Sequence, residues 1–228
     1  MKNKNIILII IVLFGVIYIA MNNSRNEHTE QTKNVVEKYP WQITLLANGN
    51  TRVFGIVFNE TTLQEVDLLL KTDPEVKLFE SDKNLSLEAY YKNVLLGGLI
   101  GSFIISLDVS ESELQKFKSE SKKRKRHENT IQHEFDKIML EQVKKLTVKN
   151  LSYIPTAQLE EEMIVKRFGV PEEKIKLKNN EKGWHYLYPK KGLDLIYKEE
   201  GKEVLQYVTP REFSLLLEPL RSLQNQSH

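Results

Sequence analysis

At 228 residues, 40% hydrophobic and 28% charged, the chain can bury one sizeable core or two small ones and is too apolar for global disorder. Its formal charge of +2 is too small to draw nucleic acid or an acidic polymer onto the whole surface. The absence of cysteine excludes disulfides, thiolate metal sites, a cysteine nucleophile and a lipid-modified N-terminal cysteine.

The first element is an apolar leader. Residues 6–21, IILIIIVLFGVIYIAM, carry no charge and follow Lys2 and Lys4. At about 1.5 Å per residue they reach roughly 24 Å, near the roughly 30 Å hydrocarbon thickness, and flanking polar side chains can make up the rest. Ala20 is preceded by Ile19 and bulky Tyr18, a poor setting for signal cleavage. Residues 1–21 are therefore expected to form an uncleaved, single-pass transmembrane signal anchor. Lys2 and Lys4 stay cytoplasmic, which places the body in the periplasm or outside the cell, held to the inner membrane. Residues 22–38 are polar and read as a flexible tether.

A first α+β module is expected over residues 39–118. TRVFGIVF (51–58) is rich in β-branched and aromatic residues and reads as a strand. Asn59-Glu60-Thr61-Thr62 supplies cap chemistry for a helix whose Leu63, Val66, Leu69 and Leu70 share one face, and Asp73-Pro74 stops it. EVKLFE, LEAYYKNVL and LIGSFIISLDV follow as strands, with Gly97-Gly98 as a tight turn, and Ser110 opens a short helix.

Residues 119–149 read as a basic linker followed by an amphipathic helix over 129–146, its apolar stripe being Ile131, Phe135, Ile138, Met139 and Leu146. Residues 116–149 hold eleven Lys or Arg against five Asp or Glu, so the positive charge of the chain is concentrated there.

A second α+β module is expected over residues 150–223, with the same layout as the first. Residues 151–155 form a strand, Thr156 caps a helix through Val165, and Gly169 and Pro171 end it. KIKLK, WHYLYP, GLDLIYK and KEVLQYV are strands. Thr209-Pro210 opens a last helix with Phe213, Leu216, Leu217 and Leu220 on its apolar face. Residues 224–228 read as a disordered tail. The fold class is thus α+β: two related modules, each a capped helix plus antiparallel sheet, behind one transmembrane helix. Such a layout suggests internal duplication.

Three groups of residues invite a functional reading. Lys122, Lys123, Arg124, Lys125 and Arg126 could touch an anionic surface, at about 1 kcal/mol per basic residue beside a negatively charged membrane; the bland reading is a solvated linker. His127 and His133 lie six residues apart, about 240° around a helix, and cannot share one ligand face. His185 sits in an alternating strand that puts Trp184, Tyr186 and Tyr188 on one face and His185 and Leu187 on the other. That pattern favours sheet packing; the rival is a small exported hydrolase using His185, or else the carboxylates Glu88 and Asp194. G-x-S-x-G, Walker and dinucleotide motifs are missing, and no catalytic residue, cofactor or metal is assigned.

The T-L-x-E-V of residues 62–66 and the F-G-x-P of 168–171 resemble the small α+β module of BamE-type (SmpA/OmlA) envelope proteins. That resemblance implies a role in outer-membrane protein assembly and a lipid anchor on cysteine, and this chain has no cysteine. R-F-G-V-P, Y-P-K-K-G-L-D and Y-V-T-P-R-E-F also resemble uncharacterised membrane-anchored proteobacterial envelope proteins over about residues 50–220. The expectation is a non-enzymatic accessory or scaffold, anchored through residues 6–21. It binds another envelope protein, by strand addition at an open sheet edge, or binds the membrane surface, and has no nucleic-acid partner.

Overall fold

A computed structural model describes residues 39–81, 84–127, 130–178 and 181–225. The expected anchor and tether lie outside these residues; among the described ones no helix is long and apolar enough to cross a membrane.

The chain is α+β with a large antiparallel sheet. Strands β1 (Thr44–Leu45), β2 (Thr51–Val53) and β3 (Ile56–Val57) make a small separate sheet. Helix α1 (Leu63–Leu70) leads into the meander β4 (Glu75–Ser81), β5 (Asn84–Leu96) and β6 (Leu99–Leu107). Then come α2 (Glu111–Glu120), the hairpin β7 (Lys123–His127) and β8 (Thr130–Glu134), α3 (Lys137–Val143) and β9 (Val148–Pro155). Helix α4 (Glu161–Phe168), strands β10 (Glu173–Lys176), β11 (Gly183–Tyr188), β12 (Leu193–Lys198) and β13 (Val204–Tyr207), and α5 (Ser214–Asn225) complete it. The main sheet has ten strands in the order β10-β11-β12-β13-β9-β6-β5-β4-β8-β7, every pair antiparallel.

The two halves of the chain meet at the β6–β9 pair, which runs from Gly101↔Pro155 to Leu107↔Val148. One core cluster crosses that seam, joining Tyr91 and Phe103 to Tyr153, Tyr186 and Tyr207. It is roofed by Leu63 and Val66 of α1, Leu114 and Phe117 of α2, Met139 and Val143 of α3, and Ile164 and Phe168 of α4. On the opposite sheet face, Leu216 and Leu220 of α5 pack on Ile175 and Leu187, beside a cluster of Phe79, Ile104, Ile154 and Val204. In each half a helix precedes a run of antiparallel strands. The opening strands differ: β9 lies in the main sheet, whereas β1–β3 stand apart from it.

Local chemistry explains most boundaries. Thr62 and Glu65 form a full capping box at the start of α1, with the Thr62 N–H donating to Glu65 Oε2 at 2.8 Å. Ser110 and Glu113 repeat it at α2. Each box satisfies backbone donors that a helix start leaves open, a contribution of about 1 kcal/mol. Several expectations are corrected. The stretch 51–58 is two strands, because Phe54 and Gly55 turn the chain with φ of 53° and 80°. Thr156 does not cap a helix: its N–H donates to the Ile100 carbonyl at 2.8 Å, which extends the sheet, and α4 starts only at Glu161. The final helix is delayed by a 3₁₀ turn at Pro210–Glu212 and runs through Asn225, into the expected tail.

The motif R-F-G-V-P acquires a role at the entry to the body. The Arg167 guanidinium lies 4.7 Å over the Trp41 ring, Phe168 meets the same ring edge-on at 6.3 Å, and Tyr39 stacks on it at 4.9 Å. The Tyr207 hydroxyl donates to the Pro40 carbonyl at 2.9 Å. The first described residues are thereby clamped to the second half.

Gly192 is the tightest backbone position. Its φ is +66°, and a Cβ there would stand 2.0 Å from the Val208 carbonyl oxygen, whose residue donates its N–H back to Gly192 at 2.8 Å. Gly192→Ala is expected to destabilise the fold by about 2 kcal/mol, read as a lower urea midpoint with unchanged slope.

Candidate functional site

The histidine expected in a sheet is in one. His185 pairs with Ile175 of β10 on one side and Ile196 of β12 on the other. Its Nδ1 stands 2.8 Å from Asp194 Oδ2 and 3.1 Å from Oδ1, while Asp194 is buried. Trp184, Tyr186 and Tyr188 face the large core and Leu187 the α5 side, as period two requires. Of the two carboxylates named as the alternative to His185, Asp194 contacts the imidazole and Glu88 does not. Glu88 belongs to β5, and β6, β9 and β13 separate β5 from β12, roughly 19 Å at ~4.8 Å per strand. The imidazole satisfies a buried carboxylate, and its cross-strand neighbours are isoleucines rather than a nucleophile. Among the described residues, no three metal-ligating side chains are grouped to hold an ion.

The basic run is where sequence and structure part. Expected as a linker, Lys123–His127 is the edge strand β7, and the helix expected over 129–146 is broken into β8 and the shorter α3. The cause is the open side of β4, which pairs with β8 through Leu78↔His133 and Phe79↔Gln132. Asp136 then accepts from the Met139 N–H at 3.0 Å and starts α3. Ile138, assigned to the apolar stripe, is 73% exposed.

On β7 the alternation of a strand spreads the charge over both faces. Lys123 and Lys125 lie opposite Glu134 and Gln132, and Arg124 and Arg126 lie opposite His133 and Ile131. Lys122 through Arg126 are all exposed. Lys125 Nζ reaches Glu134 Oε1 at 2.8 Å and Lys122 Nζ reaches Asp136 Oδ2 at 2.8 Å; these hydrogen bonds raise both lysines above their ordinary pKa. Arg124 and Arg126 make no ion pair with any described residue.

A half-buried network centred on His133 holds this strand in place. His133 is fully buried, with Nδ1 2.8 Å from Ser121 Oγ and Nε2 2.7 Å from Glu80 Oε2. Lys118 Nζ sits 2.5 Å from the other Glu80 oxygen. Burial pushes the Glu80 carboxyl up, but the bonds and charges of Lys118 and His133 prevail and hold it below its ordinary value. Serine, histidine and carboxylate here resemble the parts of a hydrolytic triad, yet Ser121 Oγ donates to the Lys118 carbonyl at 2.8 Å and His133 is closed to solvent. The group ties β4, β8 and the end of α2 together. Sequence reasoning missed it, although Thr130, Ile131 and alternating His133 are a strand signature once the helical stripe is set aside.

Comparison of the chain with protein-family models, curated proteins and solved structures finds no match.

Proposed function

We propose that this chain is a non-enzymatic accessory or scaffold protein, anchored in the inner membrane by residues 6–21 and holding another envelope protein. The observation that carries this reading is β7, a solvent-facing edge strand of basic residues set on a side-chain network centred on the buried His133. An open edge is a ready template for a partner strand, and one left bare of charge would promote aggregation. Lys2 and Lys4 support the orientation in which the body faces the periplasm or the cell exterior. The helix-then-strands order on each side of the β6–β9 seam supports a duplicated module. The BamE-like motifs fall on the capped start of α1 and the end of α4, and so speak for shared local geometry rather than for a shared assembly role.

A hydrolase centred on His185 draws on the Asp194 contact, but Ile175 and Ile196 flank the imidazole. Docking on anionic lipid is weakened because Lys122 and Lys125 already hold carboxylates of their own.

The test is affinity capture from gently solubilised membranes, comparing the intact chain with the Arg124→Glu/Arg126→Glu variant. A discrete envelope protein should co-purify with the intact chain and fall by about tenfold with the variant, as loss of paired charge predicts. Equal recovery from both would remove β7 as the contact.

A further inference from the structure

Resting on that reading, we infer that β7 accepts an extended, acidic segment of its partner as an added strand of the main sheet, with carboxylates at alternate positions. The five-residue edge is about 17 Å long at ~3.4 Å per residue, room for a short extended segment. In an antiparallel ladder every second residue of an edge strand turns its N–H and C=O outward, so β7 offers a row of unpaired backbone groups. No further described strand lies beyond it.

The side chains select what can lie against that row. Basic residues flank it on both sheet faces, Lys123 and Lys125 on one and Arg124 and Arg126 on the other. A second copy of β7 would set Lys and Arg against Lys and Arg, which repels. The opposite edge, β10, reads Glu173-Lys174-Ile175-Lys176, and Glu173 is already 3.3 Å from Arg221. Neither edge of another copy therefore complements β7. An acidic strand does: the two arginines lack ion-pair partners among the described residues, and a guanidinium fork grips a carboxylate bidentately. The acidic positions should therefore fall chiefly on the face shared by Arg124 and Arg126. A bilayer would meet the same cations but would leave the backbone row without a strand partner. The Ser121–His133–Glu80–Lys118 network holds the edge in place before the partner arrives, which lowers the ordering cost of docking.

The experiment uses the full chain in nanodiscs of zwitterionic lipid and a fluorescent peptide of alternating Glu and Thr. A second peptide has the same sequence but an N-methyl group on every backbone nitrogen, so its charge is unchanged and both hydrogen-bonding edges are blocked. Fluorescence anisotropy should show saturable binding of the first peptide and at least about tenfold weaker binding of the second. Arg124→Glu/Arg126→Glu, checked by circular dichroism to be folded, should weaken the first peptide by at least about tenfold as well. Vesicles rich in phosphatidylglycerol should compete poorly. Strand addition is overturned if the two peptides bind alike, if neither peptide binds, if the double variant binds normally, or if the vesicles displace the peptide completely. Should the two peptides bind alike while the captured envelope protein is still lost from the double variant, β7 remains a docking site and only strand addition fails.

Discussion

Glu88→Gln is expected to stabilise the protein by about 3 kcal/mol near pH 8 and by almost nothing near pH 4. Glu88 lies inside β5, paired across the sheet with Lys77 and Ser106, and is 5% exposed. Burial pushes its carboxyl from 4.5 up to about 7, against a small opposing pull from the Ser86 hydroxyl, which donates to Oε1 at 3.1 Å. The other oxygen, Oε2, is buried without a protein partner. The sign follows from the direction of the shift. Below pH 4.5 both folded and unfolded chains carry the proton, and Glu88 costs nothing as an acid. Between 4.5 and about 7 the unfolded chain releases the proton while the folded chain retains it, so stability falls as pH rises. Above that window the loss is complete, at ~1.36 kcal/mol per pH unit of the gap. Glutamine fills the same space, keeps an acceptor for Ser86 and never ionises. Urea unfolding of both proteins near pH 4 and pH 8 measures the difference, in which all other titrating groups cancel. A constant difference between the two pH values would show that Glu88 is not the titrating group.

His133→Ala is expected to cost about 3 kcal/mol, combining a cavity with the loss of two bonds to a fully buried ring. The effect should be local as well as global. Without the imidazole, β8 loses its tie to Glu80 of β4 and Ser121 after α2, while the pairing Leu78↔His133 persists only through backbone. Amide exchange across β7 and β8 should therefore accelerate more than across β11 and β12, which do not touch the network. Mass-spectrometric hydrogen exchange resolves the two regions. Uniform acceleration would mean that the hairpin has no separate anchor.

How far the sequence could be read depended on the range of the forces involved. Where neighbours decide, reading succeeded: Thr62 and Ser110 cap their helices through residues three positions on, and the period of two in 184–188 sorts that strand between two cores. Where distant residues decide, it failed. A run of five basic residues has no apolar alternation to mark a strand, and it tolerates charge on both faces only because it lies at an edge. That edge exists because β4, about fifty residues earlier, left one side open to β8. The burial of His133 was hidden for the same reason, since its carboxylate is Glu80. The His185–Asp194 contact spans only a hairpin, yet the sequence names the two residues only as alternative catalytic groups, because which side chains meet across a turn depends on the strand register.

The most direct measurement places a photoreactive amino acid at position 124 or 126 of the full chain and irradiates intact cells, with positions 68 and 170 as exposed controls. If β7 is the docking strand, one envelope protein of constant size should be captured from both 124 and 126 and from neither control. Capture from Leu68 or Val170 alone, or lipid adducts without protein from β7, would contradict it.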